Sequence, residues 1–117
     1  MISLRGELKV MVSATPIDFR RGVHGLVAMV AETLRADPYC GNVFVFRSKR
    51  KDRIKMIFWD GTGMFLMTKW LEEGRFVFPP VQDGVVVLTA TQFSVLVAGL
   101  DWTRVTREAV RRPYKVA

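Results

Sequence analysis

The chain has 117 residues, of which half are apolar and a quarter charged, and its formal net charge is +7. This length and composition fit one globular domain that needs no disulfide or metal support, and they exclude a disordered chain. No apolar run approaches the roughly 20 residues of a membrane-spanning helix, and Met1–Gly6 is not followed by the apolar stretch of a secretory leader. Cys40 is the one cysteine, so no internal disulfide can form, and we expect a cytoplasmic protein.

The beginning of the chain predicts a strand and then a helix. Leu8–Val12 alternates weakly between apolar and polar residues and favours a short first strand. Thr15-Pro16 is typical of a helix start, because threonine caps a backbone donor and proline suits the first helical position. Apolar residues recur at helical spacing over Val23–Leu34, which predicts a helix that ends near Ala36. Glycine weakens a helix, so a turn before Gly22, with the regular helix following it, is an alternative.

The stretch Asn42–Gly61 predicts a β-hairpin with a cationic tip. Val43–Phe46 and Ile54–Trp59 are rich in β-branched and aromatic residues, as expected for two strands, and the connection between them is mostly basic. Alternation along the second strand predicts one buried side and one side that is cationic at its start and apolar at its end. The candidate nucleic-acid-binding residues of this hairpin are Arg47, Lys49, Arg50, Lys51, Arg53 and Lys55.

Further strands and a second helix follow the hairpin. After a turn at Asp60–Gly63, the patterns predict strands over Met64–Trp70, Arg75–Phe78 and Val85–Leu88. Thr89–Gln92 has the form of a capping box, in which the threonine hydroxyl and the glutamine amide satisfy backbone donors. The helix that it starts has apolar residues at i, i+3, i+4 and i+7, namely Phe93, Leu96, Val97 and Leu100, and Gly99 is a plausible stop.

These elements define an α+β fold. Strands that follow one another through short turns indicate an antiparallel meander, so we expect an antiparallel sheet of four to six strands with two helices packed on it. We expect residues 1–103 to form a single domain and residues 104–117 to form a basic tail.

The distribution of charge indicates a polyanionic partner, most commonly nucleic acid. Residues 47–55 contribute +5 to the net charge, and residues 101–117 contribute +3. If about six hairpin cations neutralise phosphates, log K should fall with log salt at a slope near −5. The alternative is that these side chains only keep the protein soluble.

Other residues could extend such a surface. Trp59, Trp70 and Trp102 could stack on bases, although packing in the core or at an interface is the favoured interpretation of each. Six arginines outside the hairpin could also extend the positive surface: Arg20, Arg21, Arg104, Arg107, Arg111 and Arg112. The sequence leaves open whether they share a face with the hairpin.

Support for catalysis is poor. His24 is the one histidine and is expected to face solvent, and Cys40 is expected to be a small half-buried filler in a turn. Asp60 could join Asp18, Asp101 or Glu72 around magnesium, as in phosphoryl-transfer nucleases. Each of these acids also has a local structural explanation in a turn or beside a helix, which we favour. We therefore expect no catalytic residue, no metal and no cofactor.

The sequence resembles a known family over about Ile17 to Trp102. The resemblance rests on the order and spacing of several short motifs: Asp18–Gly22, Asp52–Lys55, Trp59–Gly63, Leu71–Phe76 and Gly99–Trp102. Together they are similar to the TnpB accessory proteins, the second-frame products of IS66-type bacterial insertion sequences. Such a resemblance implies a mobile element with a separate, larger transposase, and a protein that assists transposition without an established activity of its own.

The leading hypothesis is a non-enzymatic transposition accessory factor whose partners are DNA, the element's transposase, or both. A metal-dependent nuclease built on Asp60 and a purely protein-binding adaptor are the alternatives. Homo-oligomerisation stays open.

Overall fold

The computed structural model describes residues 9–78 and 84–105, which form an α+β fold, as predicted. The predicted tail falls almost wholly on residues 106–117, outside the described residues. Leu8 and residues 79–83 also lie outside them. The elements in chain order are β1 (Val10–Pro16), α1 (Val23–Glu32), β2 (Val43–Arg47), β3 (Arg53–Trp59), β4 (Met64–Trp70), β5 (Val85–Leu88), α2 (Ala90–Val97) and a 3₁₀ turn (Trp102–Arg104).

The sheet has five strands in the order β4-β3-β2-β1-β5 and is mixed, so the expectation of a purely antiparallel meander is wrong. The meander covers β2, β3 and β4, which pair antiparallel through short turns. β1 is parallel to β2, and β5 pairs antiparallel with β1. The cause is α1, which carries the chain back to the end of the sheet where β1 began, so that β2 runs in the same direction as β1.

Two apolar cores lie on opposite faces of the sheet because strand side chains alternate between the faces. On the face that carries α2, the α2 face, Ile54, Met56 and Phe58 of β3 pack with Leu96 and Trp102. The opposite face, the α1 face, carries a separate core. Its buried members are Ile17, Leu26, Val30, Phe44, Phe46 and Ile57. The predicted alternation along β3 is thus confirmed.

The predicted start of the first helix is wrong, and the alternative with a turn before Gly22 is confirmed. Pro16 is the last residue of β1, and the Ile17 amide continues the pairing by donating to the Arg47 carbonyl at 3.0 Å. A turn then follows, in which the Arg21 amide donates to the Asp18 carbonyl at 3.0 Å. Threonine is also favoured in strands, and proline is tolerated at bulges, such as the register shift of β1 between Val12 and Pro16. Local preference therefore does not distinguish a helix start from a strand end here.

The first helix also ends four residues before Ala36, at Glu32. Arg35 adopts a left-handed conformation with φ of 56°. The amide of Leu34 donates to Met29, and the amide of Ala36 donates to Val30, both at 3.0 Å. A left-handed residue that closes the last carbonyls is a common helix ending.

The predicted strand Arg75–Phe78 is an irregular segment in the structure. Phe76 and Phe78 are buried, so the apolar alternation is present, but the backbone pairs with other partners. Trp102 donates from Nε1 to the Val77 carbonyl at 2.7 Å. The segment therefore covers the α2 face instead of extending the sheet.

The predicted capping box of the second helix is confirmed. Thr89 Oγ1 accepts from the Gln92 amide at 3.1 Å, and Gln92 Oε1 accepts from the Thr89 amide at 2.9 Å. Gly99, with φ of 81°, closes the helix as predicted. Leu96 is buried, whereas Leu100 lies past the end of the helix and is exposed, contrary to its expected place on the apolar face.

Replacing Thr89 by alanine should lower the free energy of unfolding by about 1 kcal/mol, because the Gln92 amide at the start of α2 loses its acceptor, Thr89 Oγ1. Thr91→Ala is the matched control, since Thr91 is exposed within the helix. That control should be neutral or slightly stabilising. Urea denaturation of both variants measures the difference, and equal effects would contradict the role of the cap.

Candidate nucleic-acid interface

The hairpin tip, residues 48–52, is held by a buried serine and an acid rather than by its basic residues. Ser48 Oγ donates to Asp52 Oδ1 at 3.1 Å and accepts from the Arg53 amide at 3.2 Å. The Lys51 amide donates to the Ser48 carbonyl at 3.1 Å, with Lys51 in a left-handed conformation at φ 66°. Asp52, the lone acid of this region, therefore has an internal role in shaping the turn.

The segment after β4 supports the same tip. The Leu71 amide donates to the Asp52 carbonyl at 2.9 Å, and the Phe76 amide donates to the Lys51 carbonyl at 2.7 Å. Because Phe76 is buried, the tip is joined to the core of the protein. The hairpin tip is therefore a fixed loop at one end of the sheet.

Among the six basic residues of the hairpin, Arg47 makes internal contacts. Its Nε donates to the Ala14 carbonyl at 2.9 Å, and its Nη1 donates to the Ser48 carbonyl at 3.3 Å. The guanidinium carbon lies 5.5 Å from the centroid of the Phe78 ring. Partial burial lowers the pKa of Arg47 because desolvation disfavours its charge. The side chain thus links β2 to β1 and to the irregular segment.

Lys55 also makes internal contacts. Its Nζ donates to the carbonyls of Phe19 and Arg21 at 2.6 and 2.8 Å, and it lies 4.7 Å from the centroid of the Phe19 ring. These bonds join β3 to the turn that precedes α1. Lys55 therefore has a structural role, whatever else it contacts.

The other four basic residues of the hairpin are directed differently. Lys49 and Arg50 are exposed, Lys51 is half-buried, and none of the three belongs to an ion pair between described residues. Arg53 is exposed, with its guanidinium carbon 5.5 Å from the centroid of the Trp70 ring. These four cations, Lys49, Arg50, Lys51 and Arg53, are hereafter called the tip cations.

One pair of additional arginines lies beside the hairpin. The bonds from Lys55 place Phe19–Arg21 next to β3, on the α1 face. Arg20 is paired with Asp18, with 2.8 Å between Nη2 and Oδ2, whereas Arg21 is exposed. Arg104 is paired with Asp101 at 3.5 Å. The remaining candidates, Arg107, Arg111 and Arg112, lie outside the described residues.

The three tryptophans have different environments. Trp102 is buried, as the packing interpretation predicts, and Trp59 is half-buried, with its ring edge-on to Tyr39 at 5.2 Å. Trp70 is 62% exposed, so it does not pack in the core, and its packing at an interface stays a prediction. The feature that indicates this exposure is the position of Trp70 at the end of β4, past the apolar residue pairs of β3 and β4 and opposite Arg53.

Three of the four acidic residues considered for a metal site are engaged in local bonds, and the fourth, Glu72, is exposed. Asp60 Oδ1 accepts from the Thr62 amide, the Thr62 hydroxyl and the Gly63 amide at 2.8 to 3.0 Å. The Asp18 carboxylate binds Arg20, whose hydrogen bond lowers the pKa of Asp18. Asp101 Oδ1 accepts from the Thr103 hydroxyl, which lowers the pKa of Asp101. Within the described residues, no three of His, Cys, Asp and Glu are grouped to hold a metal ion.

The single histidine and the single cysteine are both exposed side chains. His24 is exposed on α1, as predicted. Cys40 is exposed and not half-buried, which corrects the expectation for it. Pro38 is the buried residue of that turn.

Taken together, these contacts define a small α+β protein that displays fixed basic residues on one hairpin at the end of a mixed sheet. The chain matches the family of IS66 Orf2-like proteins over residues 8–107 and belongs to that family. The predicted resemblance to the IS66 second-frame proteins is thereby confirmed.

Two relatives come from Sinorhizobium fredii (strain NBRC 101917 / NGR234). The uncharacterized protein y4jC is 60% identical over 117 residues, which cover the whole of both chains. The uncharacterized protein y4hO is 37% identical over 110 residues, which cover 94% of each chain. No solved structure matches the chain. Among the described residues, the helices are all too short or too polar to cross a membrane.

Replacing Lys55 by methionine should lower the free energy of unfolding by about 1–3 kcal/mol, because two backbone carbonyls lose a charged donor. Lys49→Met is the control and should change stability by less than about 0.5 kcal/mol, since the side chain is exposed. Chemical denaturation of both variants measures this difference. Equal stability of the two variants would show that the hydrogen bonds from Lys55 do not contribute to the free energy of unfolding.

Asp60 should titrate below the usual aspartate pKa of about 3.9, because the amides of Thr62 and Gly63 favour its charged form and lower its pKa. Its contribution to stability is then present above the ordinary pKa and is lost as pH falls through the lowered one. Carboxyl-carbon NMR titration measures the midpoint. A midpoint at or above the usual value, or a saturable shift with Mg²⁺ at neutral pH, would contradict the purely structural role.

Proposed function

We propose that this protein is a non-enzymatic accessory factor in DNA transposition that binds the DNA backbone through the tip cations. The observation that carries the proposal is the division of the basic hairpin into internal and outward-facing side chains. Arg47 and Lys55 donate to backbone carbonyls, whereas Lys49 and Arg50 are exposed on a loop with a fixed backbone. Membership of the IS66 Orf2-like family supports an accessory role in transposition.

A phosphate backbone is the ligand that best fits these side chains. Exposed cations on a rigid loop gain affinity by displacing the counterions of DNA, and they need no particular base sequence to do so. The only acid of the tip, Asp52, accepts a hydrogen bond from Ser48 within the turn. Arg21 lies on the neighbouring turn and would extend the contact on the α1 face.

The element's transposase is the second proposed partner. The specific observation in favour is β4, one of the two outer strands of the sheet, which has unpaired backbone groups along its outer edge among the described residues. Phe65 and Met67 of β4 are more than 40% exposed on the α2 face. Apolar side chains on an open strand edge are suited to a protein contact.

A metal-dependent nuclease has less support. Its central residue, Asp60, accepts three hydrogen bonds within its own turn and would have to give them up to bind a cation. Magnesium-dependent cleavage of DNA that is abolished in Asp60→Asn would overturn the non-enzymatic proposal.

Charge reversal at the tip should weaken DNA binding more than the same reversal elsewhere. With four tip cations, the slope of log K against log salt should be about −3.6, at about 0.9 per neutralised phosphate. Lys49→Glu combined with Arg50→Glu should lower affinity and reduce the steepness of this slope by about 2. Fluorescence anisotropy with element-end and unrelated duplexes, over a range of salt concentrations, measures both quantities.

The matched control is Lys9→Glu combined with Arg35→Glu, which makes the same change in net charge. Both residues are exposed. Lys9 lies at the start of β2, where its carbonyl accepts from the Val43 amide, and Arg35 lies between α1 and β2 in the chain, whereas the tip follows the end of β2. Equal losses of DNA affinity in the two double variants would show that the tip contributes only through the overall positive charge of the protein. Unchanged DNA binding in the tip variant, together with transposase binding that persists at high salt, would instead identify a protein-binding adaptor.

A further inference from the structure

Part of the α1 face is left open along β3 and β4. Ile57 is buried there, but its partner across the strands, Leu66, is 40% exposed. Toward the tip, Thr68 lies opposite Lys55, Trp70 lies opposite Arg53, and both β4 residues are exposed. An open strip therefore runs along the outer strand and ends at the tip cations.

Trp70 and Arg53 form a pair at the end of this strip. The guanidinium carbon lies 5.5 Å from the ring centroid, within the range of a cation–π contact. A tryptophan that is 62% exposed does little for the apolar core, yet here the arginine orients it. The pair thus combines an accessible aromatic ring with a fixed positive charge.

We infer that Trp70 and Arg53 form a stacking site for an unpaired base of single-stranded DNA, with the tip cations following the adjoining phosphates. The inference rests on the proposed function and specifies its ligand. Proteins that bind single strands combine a cationic path with aromatic rings on which bases stack, because every base has a π-face. In a duplex the base faces are covered by their neighbours, so a duplex can use the cations but not the ring.

Charge and position favour this occupant. On β3, Arg53 and Lys55 lie on the face that carries Trp70, and Arg21 adjoins Lys55. None of the five residues that define the open strip, Arg53, Lys55, Leu66, Thr68 and Trp70, is acidic, and the exposed Glu72 and Glu73 follow in the turn after β4. A single strand that runs along the strip would meet the tip cations on one side of the aromatic ring and Arg21 on the other.

The test compares a 20-nucleotide oligothymidine with a duplex of equal length, using full-length protein. Trp70→Ala should lower affinity for the single strand by about tenfold to a hundredfold and change duplex affinity less than twofold, since only the single strand can stack. Trp70→Phe, which keeps a π-face, should retain most of the single-strand affinity. Trp70→Leu, which keeps apolar bulk without a π-face, should behave as Trp70→Ala does, and circular dichroism checks that each variant folds.

Leu100→Ala is the matched control, because Leu100 is an apolar side chain as exposed as Trp70, at 61%, but lies past the end of α2. It should change neither affinity. Equal losses for both DNA forms in Trp70→Leu would overturn the stacking site and leave Trp70 as a support for Arg53. Unchanged affinities of Trp70→Leu for both DNA forms would also overturn the stacking site, and a protein would then be the expected ligand of the open strip.

These results separate the inference from the proposed function. Duplex binding that depends on Lys49 and Arg50, without any effect of Trp70, would preserve the proposed function and overturn the stacking site. A wild-type protein that binds neither DNA form would overturn both.

Discussion

One ammonium group joins the sheet to the helix that covers it. Lys55 projects from β3 and donates to two carbonyls of the turn between β1 and α1, at 2.6 and 2.8 Å. That turn must lie against β3 for Leu26 and Val30 to reach the α1 face, where they are buried with Phe44 and Ile57. The parallel pairing of β1 and β2 depends on the same path, because the chain returns through α1. A charged side chain at the margin of a core therefore positions an apolar layer.

The same contact marks where the protein changes from a covered to an open surface. On one side of Lys55, β3 is buried on both faces, as at Ile57 and Phe58. On the other side, Arg53 is exposed and the hairpin continues into a loop shaped by Ser48 and Asp52. Within nine residues of chain, two structural cations, Arg47 and Lys55, thus flank the four tip cations. The number of basic residues in the hairpin therefore overstates the positive charge that is accessible to an anionic ligand.

Local signals in the sequence predicted the elements, and contacts between distant residues determined the arrangement. The hairpin, β4, β5 and the Thr89 capping box follow from alternation, turn residues and capping chemistry, each of which acts within a few residues. The parallel strand pair depends on where α1 packs, which no local pattern contains. Arg75–Phe78 alternates like a strand, but its backbone donors and acceptors pair with the tip and with Trp102. Sequence patterns group Arg47 and Lys55 with the other cations, because the Ala14 carbonyl that binds Arg47 and both carbonyls that bind Lys55 are more than 30 residues away in the chain.

The attachment of the tip backbone to Leu71 and Phe76 has a thermodynamic consequence for any ligand. A loop that is already ordered has little backbone entropy left to lose on association, whereas ordering a free residue costs about 1–2 kcal/mol. Only the long side chains of Lys49 and Arg50 must then be restrained. Such side chains adapt to many spacings of negative charge while their point of attachment stays constant. This combination suits a contact that tolerates variation in its ligand and still holds it in one orientation.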